Sequence, residues 1–288
     1  MATEDALDGT ISWAQLLEEA ARRIDEGDAR RIVEEVTGSG PGALHRALDE
    51  LATVRGVARF DGMVERRAAG EPLQYVLGSW GFRSLDLMVD RRVLIPRPET
   101  EVVAGLAIDL AAARGSGREV LVADLGTGSG AIALSVAVEC RVARVFASDA
   151  SSDALAVARA NLAGVGRAAA RVSLHEGSWF AALPTAAEGS LDVIVSNPPY
   201  VADGDDLPAI VGEWEPAAAL RAGPEGLDDL RAIVDETPRW LAADGALVLE
   251  MAPEQTAVVA EWCRAVGFAA SIHQDLAGRD RAVVATRE

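Results

Sequence analysis

Val120-Leu-Val-Ala-Asp124-Leu-Gly126-Thr-Gly128-Ser-Gly130-Ala131 runs from an unbroken apolar stretch into three alternating glycines, then into the apolar residues 131–138. A short apolar run closed by turn residues reads as a buried strand, and the run after it reads as a helix. Strand, glycine loop and helix in that order open a βαβ unit, hence a mainly parallel sheet. Glycines at such a turn let a ligand approach the backbone, and the N–H groups of the helix start favour an anionic group. Gly126, Gly128 and Ala131 also satisfy the dinucleotide spacing G-x-G-x-x-G/A. The next strand, 144–148, ends at Asp149, whose carboxylate can accept both hydroxyls of a ribose. Loop and acid together indicate a nucleoside cofactor without saying which, and an NAD-dependent dehydrogenase stays open at this point.

Beyond Asp149 the rhythm continues. Residues 151–162 read as a helix capped by Ser151 or Ser152, and 171–175 as a strand. Gly177-Ser178-Trp179-Phe180 follows, where an aromatic can pack against an adenine ring or plug the core. Leu191-Asp-Val-Ile-Val-Ser-Asn197-Pro198-Pro199-Tyr200 is a second buried strand that stops at two prolines. Neither proline carries an N–H for the ladder, and Pro198 keeps Asn197 out of the helical region. The product is a stiff corner at the carboxyl edge of the sheet, where open α/β folds bind ligands. There the Asn197 side-chain oxygen and the Pro198 carbonyl can each accept from a planar NH2 group, with Tyr200 stacked on its face. A strand followed by a plain Pro-Pro turn fits the tetrapeptide equally well. Helices over about 227–241 and 254–266, a strand over 246–250 and a closing pair over 268–273 and 281–285 complete an α/β pattern with helices on both faces.

Upstream the pattern is purely helical. Ser12 caps a helix, Gln15 completes a capping box, Ile11 packs on Leu16, and Gly27 is expected to end the run. Further helices are expected over about 29–36, 43–54 and 57–67, separated by the 38–42 stretch and Gly56. This small bundle carries no catalytic constellation. The run from Gln74 to Val89 holds two β-like stretches around Gly78 and Gly81, a hairpin linking the domains. Leu94-Ile-Pro-Arg-Pro-Glu-Thr-Glu101 forbids a helix until Glu99 and is either a rigid linker or a wall of the active site. The boundaries expected are a helical docking domain over 1–71, a hairpin and linker over 72–98, and a catalytic domain over 99–288.

Composition narrows the partners. The 288 residues are 50% apolar and 25% charged, enough for a full core. A formal charge of −18 argues against nucleic acid or an anionic membrane. Every basic residue is Arg, which reflects coding bias. Cys140 and Cys263 are too few for a disulfide framework, and His45, His175 and His273 stand far apart, so no metal site is expected. With no signal pattern and no long apolar run, a cytoplasmic protein is expected.

Asp124-Leu-Gly-Thr-Gly-Ser-Gly130, the acid at Asp149 and Asn197-Pro-Pro-Tyr200 together resemble class I S-adenosylmethionine-dependent methyltransferases that act on planar amino groups of adenine, guanine or glutamine. A finer resemblance, over about residues 12–285, is to PrmC/HemK, the peptide chain release factor glutamine methyltransferases. It rests on Pro72-Leu-Gln-Tyr-Val-Leu-Gly78, on Leu94-Ile-Pro-Arg-Pro-Glu-Thr-Glu101, on Glu215-Pro with Gly226-Leu-Asp228, and on the helical N-terminal domain. The resemblance implies a Rossmann-like sheet and transfer of methyl from S-adenosylmethionine to the Gly-Gly-Gln glutamine of a release factor, leaving S-adenosylhomocysteine. It implies Gly126, Thr127, Gly128, Ser129, Gly130, Asp149, Trp179 and Asn197 at the cofactor, and Asn197, Pro198, Pro199 and Tyr200 at the target glutamine, in a monomer without metal. The alternative is a nucleic-acid amino-group methyltransferase. Ser178 stands where the family often has Asp, and Glu250-Met-Ala-Pro-Glu-Gln255 replaces a more usual Glu-Ile-Gly run.

Overall fold

The computed structural model describes residues 10–40 and 42–287. They divide into two compact units that meet in sequence at Gly78 and Ser79.

The first unit is all helix. Ser12 accepts from Gln15 N–H and the Gln15 side chain accepts from Ser12 N–H, so α1 (Trp13–Ala20) starts on the expected capping box. It stops at Ala20 rather than Gly27, because Asp25 caps the next helix, α2 (Glu26–Thr37), by accepting from Gly27 and Asp28 N–H. The expected helix over 43–54 is only α3 (Leu44–Leu48). The Thr53 hydroxyl caps a separate α4 (Val54–Ala68) that carries Gly56 inside it. Residues 73–77 form α5 (Leu73–Leu77), not a strand, closed by Gly78 in the left-handed region. Trp13, Leu16, Ile32, Val33, Phe60, Met63 and Val76 make one core from these helices.

The second unit opens with a hairpin, β1 (Ser79–Phe82) and β2 (Leu85–Met88). There follow α6 (Thr100–Arg114), β3 (Val120–Leu125), α7 (Ala131–Glu139), β4 (Ala143–Asp149), α8 (Ser152–Gly164), β5 (Val172–Glu176) and β6 (Leu191–Ser196). A short α9 (Ala209–Gly212) precedes α10 (Asp228–Trp240), β7 (Leu241–Glu250), α11 (Thr256–Ala265), β8 (Phe268–Gln274) and β9 (Asp280–Arg287). Seven strands form one sheet in the order β5-β4-β3-β6-β7-β9-β8. The first five run parallel, and β9 is antiparallel to both its neighbours.

Side chains alternate across the sheet with the period of a strand. Val193 and Val195 of β6 enter one core with Val103, Val136 and Val145, while Ile194 enters the other with Ile233, Leu247 and Val259; Leu191, on the far side of an irregularity in the β6–β7 register, joins that second core. A mainly parallel sheet buried on both faces is what the unbroken apolar strands require. The order reverses between β3 and β6: the chain leaves β3 toward β4 and β5, then returns to β3's other side. Ligands bind at such switch points, beyond the carboxyl ends of the strands. Those two ends carry the glycine loop and Asn197.

Candidate active site

The loop after β3 is held open from beneath. Asp124 is buried, and its Oδ2 accepts from the Thr127 hydroxyl at 2.7 Å and from Ala133 N–H at 3.0 Å, fastening the loop to the start of α7. Burial pushes its carboxyl up to about 6 despite those two donors. Gly126 and Thr127 N–H both donate to Ser148 O. Gly128 has φ +56, and a Cβ there would project into open space at the cavity edge, the free face a ligand needs.

Asp149 ends β4. Its Oδ2 accepts from Gly128 N–H at 2.8 Å and its Oδ1 from Ser151 N–H at 2.9 Å. Burial raises its carboxyl, against those two backbone bonds. Each oxygen keeps a second lone pair for a hydroxyl. Trp179 lies across from it with φ +43, a backbone region non-glycine residues seldom occupy. The indole packs on Gly126, where a Cβ would come within 3.1 Å of the ring, and it eases the rise that burial imposes on the Asp229 carboxyl.

These groups enclose a cavity of about 420 Å³ lined by Gly126, Gly128, Asp149, Ser178, Trp179, Asn197, Pro199 and Asp229, with Arg92 at its rim. Its size suits a nucleoside-sized ligand. Thr127, Ser129 and Gly130 do not line it. Thr127 serves Asp124, the Ser129 carbonyl accepts from Asn161 Nδ2, and Gly130 caps α7.

A second cavity of about 160 Å³ is lined by Leu94, Arg97, Asn197, Pro198, Tyr200, Leu207 and Val211. Leu94, Asn197 and Ala219 border both cavities. The corner itself is pinned: Tyr200 and Val201 N–H donate to Leu220 O, and Gln255 Nε2 donates to the carbonyls of Tyr200 and Gly226. Gln255 gives the 250–255 stretch a definite shape, since its Oε1 also accepts from Ala252 N–H. The Asn197 Nδ2 group donates to the Thr100 hydroxyl at 3.2 Å, leaving Oδ1 free of that contact. Opposite the corner, the buried Glu215 carboxylate accepts from Ile95 N–H at 3.0 Å and from Arg97, strapping the 94–97 segment against the second cavity. That segment is therefore a wall and not a plain linker.

Three residues of this site carried no signal of their own in the sequence. Thr100 and Glu215 lay inside stretches that drew attention as blocks. Asp229 had only its place at the start of an amphipathic helix.

A glycine loop and ribose-type acid at the switch point, joined to an Asn-Pro-Pro-Tyr corner one strand away, define a class I S-adenosylmethionine-dependent methyltransferase. Residues 107–226 match the methyltransferase small domain family, and residues 11–78 match the PrmC N-terminal domain. The release factor glutamine methyltransferase of Cereibacter sphaeroides is 39% identical over 92% of this chain and 93% of its own length. The protein of the same name from Moorella thermoacetica is 41% identical over 96% and 99%. A solved methyltransferase from Pyrococcus furiosus, 16% identical, superposes with a TM-score of 0.51 over 82% of this chain and 99% of that one, a likeness of fold. The chain belongs to the release factor glutamine methyltransferase family.

Among the described residues no helix is long and apolar enough to cross a membrane, and no three His, Cys, Asp or Glu side chains gather to hold a metal ion.

Proposed function

We propose that this chain methylates the side-chain amide nitrogen of the Gly-Gly-Gln glutamine of a peptide chain release factor, as a cytoplasmic monomer that needs no metal and no nucleic acid. The observation that carries the reading is Asn197 on the wall shared by two cavities, its amide nitrogen engaged by Thr100 and its oxygen available. Gly126, Gly128, Asp149 and Trp179 would hold S-adenosylmethionine in the larger cavity. Thr127, Ser129 and Gly130 would contribute by shaping the loop. The cofactor, when bound, supplies a methyl group on a sulfonium centre.

The residues of this chain do the rest. An amide nitrogen is a poor nucleophile because its lone pair is shared with the carbonyl. The Asn197 oxygen and the Pro198 carbonyl accept from its two hydrogens, hold the nitrogen at a fixed angle and favour the positive charge that develops there. Tyr200 and Pro199 flatten the space around the amide plane. Fixed geometry of this kind contributes on the order of several kcal/mol to the barrier, and pre-oriented dipoles add to it. The amide proton becomes acidic once the methyl is attached, so it can leave to solvent after transfer. The helical residues 1–71 would dock the protein substrate, with 72–98 as the connection to the catalytic residues 99–288.

Mass spectrometry of a release factor after incubation with the chain and S-adenosylmethionine tests this. One added methyl on the Gly-Gly-Gln glutamine is expected. An unmodified glutamine alongside methylated tRNA, rRNA or DNA would overturn it.

A further inference from the structure

Three charged side chains line the larger cavity: Asp149, Arg92 and Asp229. Two of them have partners in the protein. Asp149 accepts from Gly128 and Ser151 N–H, and Arg92 Nε donates to both oxygens of Asp90 at 2.8 and 3.1 Å. Asp229 stands apart. Among the described residues no cation pairs with its carboxylate and no backbone N–H donates to it; Arg231, two places on, pairs with Asp235 instead. Nor is it an ordinary surface acid. It lies half-buried in the first turn of α10, where burial raises its carboxyl, the Trp179 indole opposes the rise and Asp228 adds to it. Asp228 is exposed and turned the other way, its Oδ2 only 2.0 Å from where a Cβ on Gly223 would stand. A carboxylate drawn into a cavity without donors of its own is stabilised once a ligand brings them.

The neighbours of Asp229 indicate which part of a ligand it meets. Phe180, next to Trp179, stacks on Trp240 of α10 with ring centroids 5.4 Å apart, so the turn that carries Trp179 and the helix that carries Asp229 form one wall. With the ribose on Asp149, the flat base belongs with the Trp179 indole, and the acid beside that indole meets the edge of the base rather than the sugar. Ser178, the other polar side chain on this wall, offers only a neutral hydroxyl.

We propose that Asp229 determines which base the cavity takes, its carboxylate accepting from the exocyclic 6-amino group of adenine and turning away purines with a 6-oxo group. This rests on the cofactor site proposed above. An ionised carboxylate can only accept, and the 6-amino group brings two donors. A 6-oxo purine sets a carbonyl oxygen against the carboxylate, acceptor against acceptor. The grip of Asp149 on the ribose keeps such a base from sliding to offer its N1–H instead. In Asp229→Asn the side chain can turn either its oxygen or its NH2 group to the base, so the 6-oxo ligand is admitted.

The test is calorimetric binding of S-adenosylhomocysteine and of S-inosylhomocysteine, its 6-oxo analogue, to the full chain at about pH 8, where a carboxyl is ionised. The wild type is expected to favour the 6-amino ligand by about 10- to 100-fold. Asp229→Asn is expected to bring the two affinities within about threefold of each other, chiefly by tightening the 6-oxo ligand. Asp229→Ala is expected to narrow the ratio by weakening the 6-amino ligand. A side chain that merely shapes the wall would weaken both ligands alike and leave the ratio at its wild-type value. That result in both variants overturns the proposal, as does a wild type that binds the two ligands equally. Should one variant fail to fold, the ratio in the other decides. A wild type that binds neither ligand defeats the cofactor site itself, and this assignment with it.

Discussion

On the proposed function Asn197 works through two atoms with opposite duties, a nitrogen that donates to Thr100 and an oxygen that would receive the acceptor amide. Asn197→Ala removes both. Its turnover on a release factor is expected to fall by about 10²-fold or more, while calorimetry with S-adenosylhomocysteine shows near-normal affinity. Asp149 divides its labour differently, between Gly128, Ser151 and the open space of the cavity. Asp149→Ala loses charge-assisted bonds worth roughly 1.5–3 kcal/mol. Equilibrium binding should therefore weaken about 10- to 100-fold, with a smaller change in kcat at saturating cofactor. Both residues stood out in the sequence because each ends a buried strand with a polar group. Thr100, Glu215 and Asp229 did not, since their meaning lies in partners far along the chain: Thr100 meets Asn197 across 97 positions. No local period reports such a meeting.

At the scale of elements, the corner after β6 depends on a turn that the sequence does not place beside it. Gly226 sits at φ +68, and a Cβ there would come within 2.3 Å of Tyr200 O and 2.9 Å of Ala202 N. These are backbone atoms, which cannot swing aside as a side chain would. Gly226→Ala is expected to cost about 1–3 kcal/mol of stability, read from a urea midpoint, and to shift the corner enough to lower kcat. Strands β3 and β6 were legible from their apolar runs, β4 from its place in the βα rhythm, and α1 from its capping box. The five residues of α5 were not, because one helical turn between Pro72 and Gly78 shows no period to distinguish it from a strand. Gly27 misled for a different reason. A glycine two places after an Asp serves the N-terminal cap of the helix that follows as readily as it ends the one before.

For the whole chain, the buried carboxyls set a pH dependence of stability. Asp124 is held at about 6 and Glu250 at about 7, so both keep protons in the folded chain that the unfolded chain has already released. The stability linked to them is complete in acid and is lost as pH rises through those values, on the order of 3 kcal/mol each. Asp90 and Glu139 oppose this: hydrogen bonds from Arg92 and Arg83 lower them, and their contribution disappears as pH falls. Denaturant midpoints are expected to peak in acid, near about pH 4, and to decline as pH rises from about 5 to 7. The acidic charge of −18 was plain from composition, but the desolvation of these two carboxyls required the fold.

Leu94, Asn197 and Ala219 form a partition with a chamber on either side. On the proposed function, spent donor lingering in the larger chamber would leave the smaller one free to admit protein. S-adenosylhomocysteine should therefore raise the apparent KM for S-adenosylmethionine while, toward the release factor, it depresses the maximal velocity. Double-reciprocal plots with each substrate varied in turn will show whether the two chambers empty independently.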